Sequence, residues 1–213
     1  MMQLAGKSVY VVGMGLSGVA AARLCRRLGA TVTGIDQRDH GALDVAAREL
    51  PIRLVTGSPA LDLTGAELVV VSPGVDQPAA FEAASAAGAE VIGELELGAR
   101  LLESPMCAVG GTNGKSTTTE LISAMLSAAG RKTFCGGNLG TPLSEAVFGA
   151  WDCVVVEVSS FQLERAPRFR PQVSVLLNIT DDHLDRHKTF AAYAEAKGNA
   201  FVNQTASDVA IAP

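Results

Sequence analysis

Two glycine-rich loops, each between an apolar strand-like run and a helical stretch, constrain what this chain can fold into. The first is "GMGLSG" at 13–18, and the second is "GGTNGKST" at 110–117. A strand that enters a helix through glycines is the unit of parallel α/β folds, in which crossover helices cover the sheet. The sequence therefore predicts an α/β protein with two such units in tandem.

Short β-branched runs alternate with alanine-rich stretches along the chain, which supports this fold class. Strands are predicted at 8–12, 31–35, 52–55, 68–71, 90–92, 106–109, 133–135, 153–158, 173–177 and 208–211. Helices are predicted at 17–28, 78–87, 116–129 and 190–203. The run "GELELGARLLESP" predicts a linker helix at 94–104, between a Rossmann-like domain at 1–93 and part of a P-loop-type α/β domain at 105–213.

Composition excludes several classes of protein. With 48% hydrophobic and 18% charged residues, the 213-residue chain can bury a core and is not disordered. Its net charge of −5 argues against a nucleic-acid partner. The cluster of Arg23, Arg26 and Arg27 is interpreted as the exposed face of a helix.

Cysteine usage and hydropathy predict a cytoplasmic protein. Cys25, Cys107, Cys135 and Cys153 lie far apart and form no C-x-x-C pair, as expected of free thiols in a reducing compartment. No apolar run approaches the ~20 residues that cross a bilayer, so no membrane span is expected.

The first loop is a complete G-x-G-x-x-G motif between a strand and a helix. Asp36 ends the next strand, at the position of the acid that binds ribose in dinucleotide folds. The same glycines also suit close helix–strand packing, and the motif does not identify the nucleotide. The candidate nucleotide contacts are Gly15, Leu16, Ser17, Asp36, Gln37, Arg38 and, in the turn "SPG", Ser72 and Gly74.

The second loop resembles a phosphate-binding loop but has Val109 where the usual first glycine stands. Loop amides can surround phosphates, Lys115 can reach the terminal ones, and Ser116 can hold Mg²⁺. The candidate ATP contacts are Gly111, Thr112, Asn113, Gly114, Lys115, Ser116 and Thr117.

Three further ionisable residues are candidates for the same site. Glu157 ends the strand "CVVVE", where P-loop folds keep a magnesium-binding carboxylate, although an exposed strand-end charge is the alternative. His183 lies in the charged loop "DDHLDRH", where a solvated histidine is the alternative. Lys197 shares a helical stripe with Phe190, Ala194 and Phe201, and snorkelling to solvent is its ordinary explanation.

The segment "GTNGKST" resembles the ATP loop of the Mur ligases, a family whose loop also lacks the first glycine. The segments "VEVSSFQLE", "GGNLGTP", "NITDDHLDRH" and "IGELEL" are similar to the D-glutamate-adding branch of that family. The branch that adds diaminopimelate or lysine carries a histidine where this chain has Phe161, and folylpolyglutamate synthase lacks the N-terminal domain.

The resemblance implies a reaction. ATP would phosphorylate the terminal carboxylate of UDP-N-acetylmuramoyl-L-alanine, and the amine of D-glutamate would attack the acyl phosphate. It implies ATP and Mg²⁺ as cofactors, small-molecule substrates and a monomer. It also implies that Asn138 and Ser159 contact the UDP-sugar substrate. Four residues would serve the metal ions, with Lys197 carbamylated: Ser116, Glu157, His183 and Lys197. The predicted catalytic residues are Lys115, Glu157, His183 and Lys197.

Other functions remain as alternatives. A GTPase would need an N/T-K-x-D motif after the loop, and a dehydrogenase would leave the second loop unexplained. A non-catalytic module that binds UDP-sugar, or another Mur-type ligase, fits more of the motifs. Because family chains continue into a third domain, the 213-residue chain is expected to bind its ligands without turnover.

Overall fold

The computed structural model describes residues 2–138 and 140–213, and it contains two parallel five-stranded sheets. The first sheet has the order β3-β2-β1-β4-β5. Its strands are β1 (Ser8–Val12), β2 (Thr31–Asp36), β3 (Arg53–Thr56), β4 (Leu68–Val71) and β5 (Glu90–Gly93). Its helices are α1 (Leu16–Arg27), α2 (Val45–Arg48) and α3 (Pro78–Ala86), and a 3-10 turn covers His40–Ala42.

The strand order of the first sheet reverses at β1, which pairs with β2 on one side and β4 on the other. Every residue of β4 is buried, as expected of a strand that helices cover on both faces. Because successive connections leave β1 in opposite directions, a crevice opens beyond the carboxyl ends of β1 and β4.

The second sheet has the order β10-β9-β6-β8-β7. Its strands are β6 (Met106–Gly110), β7 (Thr133–Gly137), β8 (Cys153–Glu157), β9 (Val173–Leu176) and β10 (Val209–Ile211). Its helices are α5 (Lys115–Ala128), α6 (Leu143–Ala146), α7 (Ser160–Leu163), α8 (Leu184–His187) and α9 (Phe190–Gly198). β6 is central here, so the loop that follows it lies between the ends of β8 and β9.

Helix α4 (Glu94–Leu101) joins the two sheets and is buried between them. Leu97 packs into the core of the first sheet, and Leu95 packs into the core of the second. The Gly93 amide donates to the carbonyl of Arg165 at 2.7 Å, which adds a direct bond between the two halves.

Two helices end three or more residues earlier than their sequence patterns predict. The linker helix, predicted over 94–104, ends at Leu101. The last helix, predicted over 190–203, ends at Gly198, where glycine and the following asparagine are poor helix formers. The chain then continues in tight turns, in which the Phe201 amide donates to the Gly198 carbonyl at 2.9 Å.

The arginine cluster lies on an exposed face of α1, as the sequence predicts, and two of its members also contact the second half of the chain. Arg23 donates to Glu145 at 2.6 Å, and the Arg27 guanidinium lies 3.8 Å from the centre of the Phe148 ring. Both partners belong to the second half of the chain, so α1 presents these arginines to α6 and the loop after it. Within the described ranges, no helix is both long and apolar enough to cross a membrane.

Candidate functional site

The first glycine loop is shaped by close contacts of its own backbone. A Cβ on Gly18 would overlap the Gly13 carbonyl oxygen, so the start of α1 can approach the loop only through glycine. The Ser72 hydroxyl donates to that same carbonyl at 2.7 Å and ties the "SPG" turn to the loop. Gly15 faces open space, where a ligand can approach the backbone.

A cavity of about 590 Å³ opens at the carboxyl ends of β1, β2 and β4. It is lined by eight of the ten residues predicted to contact the UDP-sugar, namely Gly15, Leu16, Ser17, Asp36, Gln37, Arg38, Ser72 and Gly74. The other two, Asn138 and Ser159, follow β7 and β8 in the second sheet. The predicted substrate residues therefore form two groups, one in each half of the chain.

Asp36 is bonded to protein groups through both carboxylate oxygens. Oδ2 accepts from the Met14 amide at 2.7 Å and from the Arg38 guanidinium at 2.9 Å. Oδ1 accepts from the Arg38 amide and guanidinium, at 2.9 and 3.0 Å. The Arg38 side chain lowers the Asp36 pKa to about 2. Because four donors fill its acceptor sites, Asp36 orients the loop and Arg38, and a direct bond to a ligand would require Arg38 to move.

β6, the strand before the second glycine loop, continues past Val109, which stands where a usual P-loop has its first glycine. Val109 is fully buried inside β6, and its carbonyl accepts from the Val158 amide at 3.0 Å. The turn begins only at Gly111 and enters α5 through Gly114, whose φ of +84° favours glycine. Lys115 begins the helix, and its Nζ donates to the Thr112 carbonyl at 2.8 Å across the loop.

Glu157 is not the exposed strand-end charge of the alternative interpretation, because it is 3% exposed. Its carboxylate accepts from the Ser116 hydroxyl at 2.6 Å and from the Asn138 side-chain amide at 2.7 Å. A hydroxyl, a carboxylate and an amide therefore meet beside Lys115. The hydroxyl and carboxylate oxygens are hard ligands of the kind that Mg²⁺ prefers, whereas Asn138 turns its Nδ2 to Glu157. The predicted metal roles of Ser116 and Glu157 are compatible with these two oxygens.

Lys197 does not snorkel, because it is 3% exposed. Its Nζ donates to the Gly111 carbonyl at 2.7 Å and lies 4.5 Å from the centre of the Tyr193 ring. Burial, and then the neighbouring charge of Lys115, lower the Lys197 pKa to about 8. The predicted apolar stripe is wrong at Phe190, which is 45% exposed, while Tyr193 is buried on the lysine's face.

His183 stands apart from the other metal candidates. It has a left-handed φ of 51°, and its ring lies 4.9 Å from that of Phe161. Between the described residues, no hydrogen bond or ion pair joins His183 to Glu157 or Lys197. Residues 2–138 and 140–213 likewise hold no cluster of three or more His, Cys, Asp or Glu side chains suited to a metal ion.

Two groups near the loop were not anticipated from the sequence. The Asn178 side chain bonds to the backbone of the second loop. His187 lies 2.9 Å from the Ser160 hydroxyl and 3.3 Å from Glu164, but Ser160 is 2% exposed and cannot act as a nucleophile on a substrate. The motif "NITDDHLDRH" contains Asn178 and His187, yet spacing alone does not show which side chain turns towards the loop.

Comparison with protein families and solved structures gives consistent results. The model described as "Mur ligase MurD-like, N-terminal domain" matches residues 7–93, and the model "Mur ligase middle domain" matches 109–213. A murein peptide ligase from Psychrobacter arcticus shares the fold, with a TM-score of 0.54 at 22% identity over 88% of this chain and 46% of that one.

Curated relatives match nearly the whole chain. A UDP-N-acetylmuramoylalanine--D-glutamate ligase from Geobacter metallireducens is 50% identical over 99% of this chain and 48% of its own length. The enzyme of the same name from Anaeromyxobacter dehalogenans is 52% identical over 99% of this chain and 47% of its own length. The chain thus spans about half the length of these relatives. On the strength of both domain models and this identity, the chain belongs to the Mur ligase family.

Proposed function

We propose that this chain supplies the nucleotide sites of an ATP-dependent ligase that adds D-glutamate to UDP-N-acetylmuramoyl-L-alanine in peptidoglycan synthesis. The observation that carries the proposal is the 2.6 Å bond from Ser116 to Glu157, beside Lys115 at the start of α5. A cation and a hydroxyl beyond the central strand β6, with a carboxylate at the end of the neighbouring strand β8, suit ATP with Mg²⁺. The relatives of that name are about twice as long, so the complete reaction is proposed for the whole protein.

The cavity of the first sheet would take the uridine diphosphate part of the substrate. The amides at the start of α1, around Leu16 and Ser17, suit the diphosphate because a helix N-terminus attracts anions. Asp36 would hold Arg38 beside the uracil ring, and Ser72 and Gly74 would border the same ligand. Asn138 and Ser159 would meet the substrate where it extends towards the second sheet.

The second loop would carry the phosphoryl chemistry. The loop from Gly111 to Thr117 would form the ATP site, and Lys115 would neutralise charge on the transferred phosphoryl group. Ser116 and Glu157 would hold one Mg²⁺, and His183 and Lys197 would serve a second. When bound, the metal stabilises the charge that develops during phosphoryl transfer. Positioning and charge neutralisation suffice for this reaction, so no protein nucleophile is required.

Lys197 would act as a carbamate. Its buried position and lowered pKa favour the neutral amine, which can attack the carbon of CO₂ and lose a proton. An ammonium would repel a nearby cation by several kcal/mol at an effective dielectric constant of about 20. The carbamate reverses that sign and offers two oxygens to a hard cation.

The proposal includes a cytoplasmic monomer that uses small-molecule substrates. Cys25, Cys107, Cys135 and Cys153 are all free thiols, as is usual in a reducing compartment. The net charge of −5 supports the absence of a nucleic-acid partner.

Calorimetric titration of the chain with UDP-N-acetylmuramoyl-L-alanine, ATP and NAD tests the proposal. We expect saturable binding of the first two ligands and none of NAD. Lys115→Ala should weaken ATP binding by about tenfold or more, since a charge-assisted contact to phosphate is lost. Binding of the UDP ligand should stay unchanged in this variant, and Lys132→Ala is the matched control.

Saturation with NAD, or a parallel loss of UDP-ligand binding in Lys115→Ala, would contradict the proposal. Binding of the UDP ligand without ATP would indicate a non-catalytic module. Tighter binding of a UDP-sugar that lacks L-alanine, or carries a longer peptide, would indicate another Mur-type ligase.

A further inference from the structure

The Asn178 side chain bridges the backbone of the second glycine loop. Its Oδ1 accepts from the Thr112 amide at 3.1 Å and from the Asn113 amide at 2.9 Å. Its Nδ2 donates to the Asn113 carbonyl at 3.0 Å. Asn178 lies just beyond β9, the strand beside β6, so it reaches the loop from the neighbouring strand end.

These bonds occupy two loop amides, those of Thr112 and Asn113, with acceptors of the protein itself. Thr112 is held further, because its amide also donates to the Asn178 carbonyl at 3.0 Å. Its hydroxyl accepts from the Thr180 amide at 3.1 Å and lies 3.1 Å from the Tyr193 hydroxyl. An N–H that points at Asn178 does not point at a phosphate, so the amides of Thr112 and Asn113 face away from that ligand.

The amides that follow are in a different situation. Gly114 turns the chain into α5 with its positive φ, and the first amides of a helix have no acceptor within the helix. The residues Gly114, Ser116 and Thr117 are exposed. Their amides can therefore surround an anion, with the positive end of the helix dipole behind them.

We infer that Asn178 is a positioning residue of the ATP site, which divides the loop into a braced segment, Thr112–Asn113, and a phosphate-binding segment, Gly114–Thr117. The inference rests on the proposed ATP site. It also explains how the loop keeps its shape without the usual first glycine, since Val109 remains in β6 and the turn is fixed from β9 instead.

The bonds from residue 178 to the braced segment require the carboxamide group of asparagine. A carboxamide supplies an acceptor with two lone pairs and a donor, and both are used here. Aspartate would keep the acceptors, lose the donor to Asn113 and add a negative charge beside the phosphates. Alanine would leave the Asn113 amide unpaired, and the Thr112 amide would keep only its bond to the backbone carbonyl of residue 178.

Residue-resolved amide exchange of the chain, with and without ATP, tests this division. In the unaltered chain, ATP should slow exchange at Lys115, Ser116 and Thr117 and leave Thr112 and Asn113 unchanged. Asn178→Ala should speed exchange strongly at Asn113 and less at Thr112, whose amide keeps its bond to the backbone carbonyl of residue 178. It should weaken ATP binding by about tenfold, as expected for the loss of three side-chain hydrogen bonds that hold the loop.

Three comparisons distinguish a positioning role of Asn178 from a general disruption of the fold. Binding of UDP-N-acetylmuramoyl-L-alanine should be unchanged in Asn178→Ala, because the uridine diphosphate part of this ligand is proposed to bind in the first sheet. Asn178→Asp should keep slow exchange at both amides while ATP binding weakens. Asn203→Ala, which removes bonds to the carbonyls of Pro167 and Phe169, should leave ATP binding unchanged.

Slower exchange at Thr112 or Asn113 on ATP binding would overturn the inference, as would an unchanged ATP affinity in Asn178→Ala. A failure of the unaltered chain to bind ATP would instead refute the ATP site, and the inference with it.

Discussion

At the residue scale, three buried ionisable side chains belong to the proposed sites. Asp36, Glu157 and Lys197 are each nearly inaccessible to solvent, and each is bonded to backbone or side-chain partners. Burying an unpaired charge costs free energy. Buried ionisable side chains therefore occur where a bonding partner, or a change of protonation state, stabilises them. Among the residues that the structure describes, the close partners of Lys197 are only a carbonyl and an aromatic ring. Neither is an anion, so the protonation state of Lys197 is the one most in need of a measurement.

We predict that Lys197 carries a carbamate in the full-length protein. Isotope-labelled bicarbonate should give a carbamate NMR signal that grows as the pH rises through about 8, because the neutral amine forms above the lowered pKa. Ligase activity should fall when CO₂ is removed and recover when it is returned.

Lys197→Ala should lose both the carbamate signal and the activity. Lys188→Ala is the matched control, because that lysine bonds to the Asp185 carbonyl and should leave the carbamate signal unchanged. Undiminished turnover by full-length Lys197→Ala would show that the carbamate is not required.

At the scale of elements, the junctions between strands and helices decide where ligands can approach. In the first loop, Gly18 is needed for packing, whereas Gly15 lies at the open cavity with an ordinary φ of −83°. The motif therefore combines a structural glycine with one that keeps the backbone accessible. The sequence interpretation left these two roles as alternatives, and the structure assigns them to different positions.

We predict that alanine at Gly18 destabilises the fold, whereas alanine at Gly15 weakens ligand binding. Gly18→Ala should lower the free energy of unfolding by about 1–3 kcal/mol, because its methyl group would overlap the Gly13 carbonyl. Gly15→Ala should change the free energy of unfolding by less than about 0.5 kcal/mol. It should nevertheless weaken binding of the UDP ligand, since its methyl group enters the cavity.

Urea unfolding and calorimetric titration of both variants measure these effects. Equal destabilisation by the two substitutions would contradict the assignment, and so would unchanged ligand binding in Gly15→Ala.

For the whole molecule, the contacts around α4 join two sheets that each carry a candidate nucleotide site. Glu94, at the start of α4, is 1% exposed, and its Oε1 accepts from the Ser144 amide of α6 at 2.7 Å. In the described part of the chain its second oxygen, Oε2, has no hydrogen-bond partner. Burial raises the Glu94 pKa to about 7, and the neighbouring charge of Glu145 acts in the same direction.

We predict that Glu94 makes the stability of the two-sheet assembly depend on pH. Because its pKa is raised on folding from 4.5 to about 7, its contribution is most favourable below pH 4.5 and is lost as the pH rises through about 7. Glu94→Gln should therefore match the unaltered chain near pH 4. At pH 8 the variant should be more stable by about 2–3 kcal/mol, since it keeps the acceptor without the buried charge.

Urea unfolding at both pH values measures this difference, with exposed Glu103→Gln as the control that should show no pH-dependent effect. A Glu94→Gln variant that is equally destabilised at pH 4 and pH 8 would contradict the prediction.

The sequence by itself determined the local units. Two strand–glycine–helix junctions, the positions of Lys115 and Glu157, and the α/β class all follow from patterns within a few residues. Such patterns work because a strand end, a turn glycine and a helix start are neighbours along the chain. The same locality explains why the ends of α4 and α9 were misplaced, since helix ends depend on the packing that follows them.

Only the tertiary structure decided which distant side chains meet. Asn178 reaches a loop 65 residues away, Ser160 meets His187, and Arg27 of α1 lies on Phe148 of the second half. The same reason explains one of the four donors to Asp36, because β2 pairs with β1 and therefore ends beside the Met14 amide. Periodicity shows which face of an element is buried, but the partner across that face is set by strand order and register. These arise from packing of the whole chain, and no local pattern contains them.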